Sequence, residues 1–213
     1  MDWDWDYAGL IGMNEWVGLY RNYLSTIESF LETEIEKCSK RSRELSREQH
    51  KMFVEKMGRP PLDFEMERSV EKQLTDMRWE ELHRFFVPEL YSSLFISLCV
   101  FLETRLRAEC RYLKQKGRIN PPDETCKKCR DGIGRFKDCL KEGETGLDFS
   151  RNWGDIVDYF RLRNCIVHAG GSLEGLNPKH RDPLKRKYDI DTHFSPSREF
   201  GEQVLDTFEK FLG

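Results

Sequence analysis

Leu90-Tyr91-Ser92-Ser93-Leu94-Phe95-Ile96-Ser97-Leu98-Cys99-Val100-Phe101-Leu102-Glu103-Thr104-Arg105-Leu106 decides the fold class. Leucine stands at every fourth position, from Leu90 through Leu94, Leu98 and Leu102 to Leu106, with Tyr91, Phe95 and Phe101 beside the row. Side chains four apart share one face of a helix; a half-buried strand would alternate instead. The run predicts a helix from about Glu89 to Lys116 at the centre of a core. A membrane span needs about 20 apolar residues. The apolar stretch here is shorter, Leu90 to Leu102, and contains Ser92, Ser93 and Ser97, so a buried helix is expected.

The same periodicity extends outward. Trp16, Leu19, Tyr20, Tyr23, Leu24, Ile27, Phe30, Leu31 and Ile35 recur at three- and four-residue steps and predict a long first helix with those residues inward. Its polar continuation reaches about Met57, where Gly58-Arg59-Pro60-Pro61 forces a break. A second helix is expected over 63–86, burying Phe64, Val70, Leu74, Met77 and Leu82, with Pro88 kinking or interrupting it. A short helix is expected over 132–141. Ser150 is a candidate cap for another that runs to about His168, with Trp153, Ile156, Val157, Phe160 and Val167 inward. Residues 173–192 read as a loop with a short extended piece near Tyr188 to Ile190, and Ser195-Pro196 as the opening of a final helix. The expected fold is all-α, a bundle of about five to seven helices, with a helical extension over 1–87 and the main domain over 88–213.

Composition narrows the function. The 213 residues carry 35 Lys and Arg against 38 Asp and Glu, a net charge of −3. Binding nucleic acid through whole-molecule charge is excluded as a main mode, and any such contact must use a local patch. Met1-Asp2-Trp3-Asp4-Trp5-Asp6 is acidic and lacks the basic start of an export signal. The seven cysteines are irregularly spaced. A cytoplasmic location with reduced thiols is the expectation. Cys126 and Cys129 lack the second ligand pair that a structural zinc site uses, so no metal or other cofactor is expected.

One segment carries chemistry: Arg161-Leu162-Arg163-Asn164-Cys165-Ile166-Val167-His168-Ala169-Gly170-Gly171. Arg163 and His168 lie five positions apart at the end of a helix. Five residues turn a regular helix by roughly 500°, which leaves the two side chains about 140° apart. Either the helix end unwinds or a second copy of the chain supplies the complementary residue.

Arg163-Asn164 followed by His168, ending a helix of an all-helical domain, resembles the HEPN superfamily motif. Phe101 to Leu106 resembles the central helix of bacterial HEPN proteins, and Asp131 to Leu140 the short helix before the motif helix. Trp153-Gly154-Asp155-Ile156 leads into the motif in the same way. The resemblance spans roughly Leu90 to Leu212.

It implies a metal-independent endoribonuclease that dimerises through the motif helix, with Arg163, His168 and Asn164 catalytic. Toxin or phage-defence roles go with it, as does an antitoxin or other defence partner. Gly170 stands where one branch of HEPN toxins has a tyrosine that its antitoxin modifies, so that form of control is absent.

Such chemistry suits the residues. RNA supplies its own nucleophile, the 2′-hydroxyl; a histidine moves protons and an arginine fork holds the phosphate. The segment Lys179-His180-Arg181-Asp182-Pro183-Leu184-Lys185-Arg186-Lys187 is locally basic and adds Lys179, Arg181, Lys185, Arg186 and Lys187, with Arg161, as candidate RNA contacts. The alternative is a catalytically silent HEPN module that dimerises and binds a nucleotide, nucleic acid or protein partner.

Overall fold

The computed structural model describes residues 13–57, 73, 77–78, 80–118, 132–142, 147, 149–150 and 152–212. The elements are α1 (Met13–Met57), a π-helical turn (Leu82–Phe86), α2 (Val87–Gln115), α3 (Gly134–Glu142), α4 (Trp153–Ala169), α5 (Pro178–Tyr188) and α6 (Arg198–Leu212). Six α-helices and no strand occur among the described residues, so the protein is all-α. The chain divides into two compact units. One is Leu19–Glu89; the other is Leu90–Gly213 together with the start of the chain up to Gly18.

In the first unit α1 is continuous. No glycine or proline interrupts it between Leu19 and Met57, and its polar half is rich in good helix formers. Leu24 and Leu31, seven residues apart, are buried, whereas Leu19, Tyr23 and Phe30 are exposed. The inward stripe is therefore narrower than the sequence predicts. Seven residues return to one face, and Leu19, Tyr23 and Phe30 fall well round the helix from it. Met77, expected inside, is exposed. Phe64, Val70 and Leu74 lie outside the described residues.

Pro88 does not interrupt the chain. The preceding residues widen into the π turn, where the Val87 N–H bonds to the Leu82 carbonyl. Proline has no N–H to give to the carbonyl four residues back, and its ring presses on that group; a wider turn makes room. The helical stretch Arg84–Gln115, which joins the end of that turn to α2, is long and apolar enough to cross a membrane by length and composition, a property that core helices share. Its inward row is Leu94, Phe95, Leu98, Cys99, Leu102 and Leu106, all buried, close to the row read from the sequence.

The core of the second unit adds Ile156, Tyr159 and Leu162 from α4 and Val204, Leu205, Phe208 and Phe211 from α6. Each such side chain contributes roughly 1.5–3 kcal/mol by burial. Rings interlock at the centre: Phe95 meets Tyr159 at 6.5 Å, Phe194 at 5.9 Å and Phe200 at 5.3 Å, all edge to face. The buried Tyr159 hydroxyl and Thr207 Oγ1 share a hydrogen bond of 3.1 Å.

Three local expectations are corrected. Within 173–192, expected as loop, Pro178–Tyr188 is a helix: Asn177 caps α5 by accepting from the Lys179 N–H, Pro178 sits in its first turn, and Leu184 anchors it in the core. Polar composition hid a helix that has one strong apolar anchor. The motif helix starts at Trp153, after Asn152 rather than Ser150. The last helix starts at Arg198, where the Ser197 hydroxyl accepts from the Phe200 N–H, rather than at Ser195-Pro196. Within α4, Tyr159, Leu162 and Cys165 are buried, while Val167 is exposed.

Candidate functional site

The site is built on α4, whose inward face is fixed by Ile156, Tyr159, Leu162 and Cys165. Arg163 lies between the buried and the open faces. Its Nη1 donates to Asn164 Oδ1 at 3.0 Å, and its Nε is shielded from water without a hydrogen-bond acceptor. It is close enough to Cys99 of α2 for its charge to oppose the burial that pushes that thiol's pKa up. No carboxylate pairs with Arg163 among the described residues. By contrast, Arg107 and Arg135 pair with Glu103, and Arg161 with Asp158.

His168 is exposed and makes no hydrogen bond or ion pair with another described residue. Helix α4 stays regular through Ala169 and then closes. Gly170 takes a left-handed conformation, φ 56°, and the N–H of Gly171 bonds back to the Cys165 carbonyl at 3.0 Å. The helix end therefore does not unwind to swing His168 towards Arg163, and the angle of about 140° expected of a regular helix holds. Asn164 is exposed beside Arg163.

The basic segment divides in two. Lys187 is drawn onto α4, bridging Asp155 and Asp158. Burial works to lower its pKa, but the two aspartates outweigh it and hold the ammonium above the usual lysine range. Its Nζ also stands 5.0 Å from the centre of the Tyr188 ring. Arg181 pairs with the adjacent Asp182, and Arg161 with Asp158. Lys179, Lys185 and Arg186 have no side-chain partner among the described residues. Lys179 and Arg186, seven residues apart, share one face of α5.

The turn after α4 brings in a residue that the sequence does not single out. Ser172 pairs with His193 as an isolated antiparallel bridge. The Leu173 N–H bonds to Thr192 O at 3.0 Å, and the Phe194 N–H to Gly171 O at 2.8 Å. Gly171 has φ 92°, and a Cβ placed on it would lie 2.5 Å from the Phe194 carbonyl oxygen and 2.8 Å from both Cε1 and Nε2 of His193. The exposed His193 ring thus rests on the backbone of Gly171. No spacing rule links positions 171 and 193; only the fold does.

The chain matches no family model, no curated protein and no solved structure. The likeness to HEPN proteins rests on the residues already named.

A cleft of about 710 Å³ lies at the opposite end of α4 from His168, between Asn152 and Asp155 and the outer face of α6. Its lining holds Asp155, Glu199, Glu202 and Asp206 against Arg198 and Lys210. That excess of carboxylates repels a phosphate backbone. Arg163 and His168 lie away from this cleft, towards the other end of α4.

Proposed function

We propose that this protein is a HEPN-type, metal-independent endoribonuclease that acts as a homodimer and serves as a toxin or phage-defence effector. One observation carries the reading. Arg163 is half-buried with no carboxylate partner among the described residues, and its Nε is shielded from water without an acceptor. A buried polar group left unpaired costs about 1–3 kcal/mol, and more when charged. A phosphate would pair with the part of the Arg163 side chain that solvent still reaches, since the shielded Nε is out of its reach in this conformation.

In this scheme Arg163 holds the scissile phosphate with its fork of donors and stabilises the charge that builds on the equatorial oxygens. His168, exposed at the end of the same helix, moves a proton. Asn164 Oδ1 fixes the guanidinium from the side. The 2′-hydroxyl of the RNA attacks the adjacent phosphorus, leaving a 2′,3′-cyclic phosphate and a 5′-hydroxyl. The angle between Arg163 and His168 favours a composite site, in which two motif helices meet across a dimer axis. Lys179, Lys185 and Arg186 suit the RNA backbone. Arg161, Arg181 and Lys187 are held by aspartates and would have to give up those partners.

The test is cleavage of labelled single-stranded RNA and total tRNA in chelator by wild type, His168→Ala and Arg163→Ala. Cleavage by wild type alone, with cyclic phosphate ends, supports the proposal. No cleavage by a well-folded dimer supports the alternative, a silent HEPN module.

A further inference from the structure

Helix α1 carries two rows of large side chains, and only one of them is buried. Val17, Leu24 and Leu31 repeat every seven residues on the inward face. Leu19, Tyr23 and Phe30 are 56%, 52% and 59% exposed. This second row lies about 120° round the helix from the first. Glu15, Leu19, Tyr23, Thr26, Phe30, Thr33 and Lys37 follow one another at three- and four-residue steps, the spacing of a coiled-coil seam. The Thr26 and Thr33 hydroxyls donate to the Asn22 and Ser29 carbonyls of their own helix, so neither needs an outside partner.

We propose that this row is a self-association seam, on which α1 pairs with α1 of a second copy, antiparallel, about a two-fold axis at Thr26.

Three observations select a second copy as the occupant. The first is shape. A groove of about 470 Å³ runs beside Phe30 from Ser25 to Lys37, while Leu19 and Tyr23 project from the other half of the row. A two-fold axis at Thr26 turns the projecting half onto the groove. Tyr23 then faces the partner's Phe30, and Leu19 falls on the partner's Thr33. The small Thr26 at the crossing lets the two backbones approach.

The second is charge. Glu15 and Lys37 are exposed at opposite ends of the row. The same axis sets each against its opposite on the other copy, so the pairing is repeated at both ends. Lys37 also pairs with Glu34 at 2.7 Å, with 66% of the lysine side chain exposed. An exposed pair of that kind contributes little, and an ammonium has further N–H groups for the partner's Glu15. The third is what the flanks repel. Between Leu19 and Lys37, Glu28, Glu32, Glu34 and Glu36 outnumber Arg21 and Lys37. That balance disfavours both a phosphate backbone and an anionic membrane.

The inference does not rest on the ribonuclease proposal and is tested without RNA. Pairing through the motif helix as well would join dimers into larger assemblies, because each chain would carry two self-complementary faces.

The test uses the full chain. Phe30→Glu should halve the mass of the wild-type assembly by light scattering and leave helicity unchanged, since the ring is exposed. Cross-linking reads the register. Cys38 is exposed on the same helix, so Cys38→Ser is the background. A disulfide needs Cα atoms within about 7 Å. Thr26 meets its own copy at the axis, whereas Thr33 stands about 20 Å from its copy along the pair. Under mild oxidation Thr26→Cys should give a covalent dimer joined at position 26 by peptide mapping. Thr33→Cys alone should not, and Leu19→Cys combined with Thr33→Cys should couple position 19 to position 33.

Coupling at 33 as readily as at 26 would overturn the antiparallel register, and no coupling at 26 would overturn the axis at Thr26. Undiminished mass of Phe30→Glu would overturn the seam. So would a monomeric wild type; sedimentation of that monomer with phosphatidylglycerol vesicles, lost in Phe30→Glu, would assign the row to a membrane surface instead.

Discussion

Replacing Gly171 by alanine should damage the protein far more than the same change one residue earlier. Both glycines have positive φ, 56° at Gly170 and 92° at Gly171. Alanine at Gly170 would meet nothing within 4 Å. Its penalty is the left-handed backbone alone, about 1–2 kcal/mol. At Gly171 the new methyl would sit 2.5 Å from the Phe194 carbonyl oxygen, which belongs to backbone and cannot rotate away. The strained φ contributes about 1–3 kcal/mol. Relieving the overlap also parts the turn from the 192–194 segment and threatens two hydrogen bonds, Phe194 N–H to Gly171 O and Leu173 N–H to Thr192 O. Each is worth about 0.5–1.5 kcal/mol. The sum is roughly 2–6 kcal/mol, against about 1–2 for Gly170→Ala. At about 2–4 °C per kcal/mol for a chain of this size, Gly171→Ala should lower Tm by roughly 5–20 °C. Calorimetry of the two variants beside wild type measures this. Equal, small shifts for both would refute the close approach of His193 and Phe194 to Gly171.

Arg163→Lys should cut cleavage as severely as Arg163→Ala, because one ammonium cannot replace a fork of donors on phosphate; steady-state kinetics on labelled RNA decide it. Lys187→Ala should lower stability by about 1 kcal/mol, a figure already reduced for the partial exposure of the pair. Because folding raises the lysine pKa, that difference should be constant from pH 7 to 9 and shrink only above about 10.4, the ordinary lysine value; denaturant midpoints that converged below pH 9 would contradict it. Among the cysteines at described positions, Cys38 is exposed while Cys99, Cys110 and Cys165 are buried, and burial pushes the Cys99 and Cys165 thiols up. Of these four, a maleimide should therefore modify Cys38 first in the native protein, as peptide mapping by mass spectrometry would show.

The sequence makes the core helices legible because their burial is periodic. The leucine row of α2 and the aromatic row of α6 each repeat at helical spacing, and Leu94 to Leu106 of the first and Phe208 and Phe211 of the second are buried as expected, while Leu90 and Phe200 are half-buried. It fails where one residue does the anchoring. Helix α5 carries charge on nearly every side and is held by Leu184 and by Lys187 on Asp155 and Asp158. Such long-range partners leave no local pattern. On α1, apolar content overstates burial, since Leu19, Tyr23 and Phe30 face outward.

The site divides in the same way. The Arg163–His168 spacing is readable, as is the glycine stop that follows it. The ion pairs that occupy Arg161, Arg181 and Lys187 are not, because each depends on where an aspartate comes to lie. His193 is invisible to any local rule, since it reaches Gly171 across twenty-two residues of chain.

The most direct measurement is RNA cleavage in excess chelator by wild type and by His168→Ala, with the ends of the products identified. Cleavage by wild type alone, leaving 2′,3′-cyclic phosphate and 5′-hydroxyl termini, is the expected result. Equal cleavage by both proteins, or abolition of wild-type activity by chelator, would contradict a metal-independent site built on Arg163 and His168.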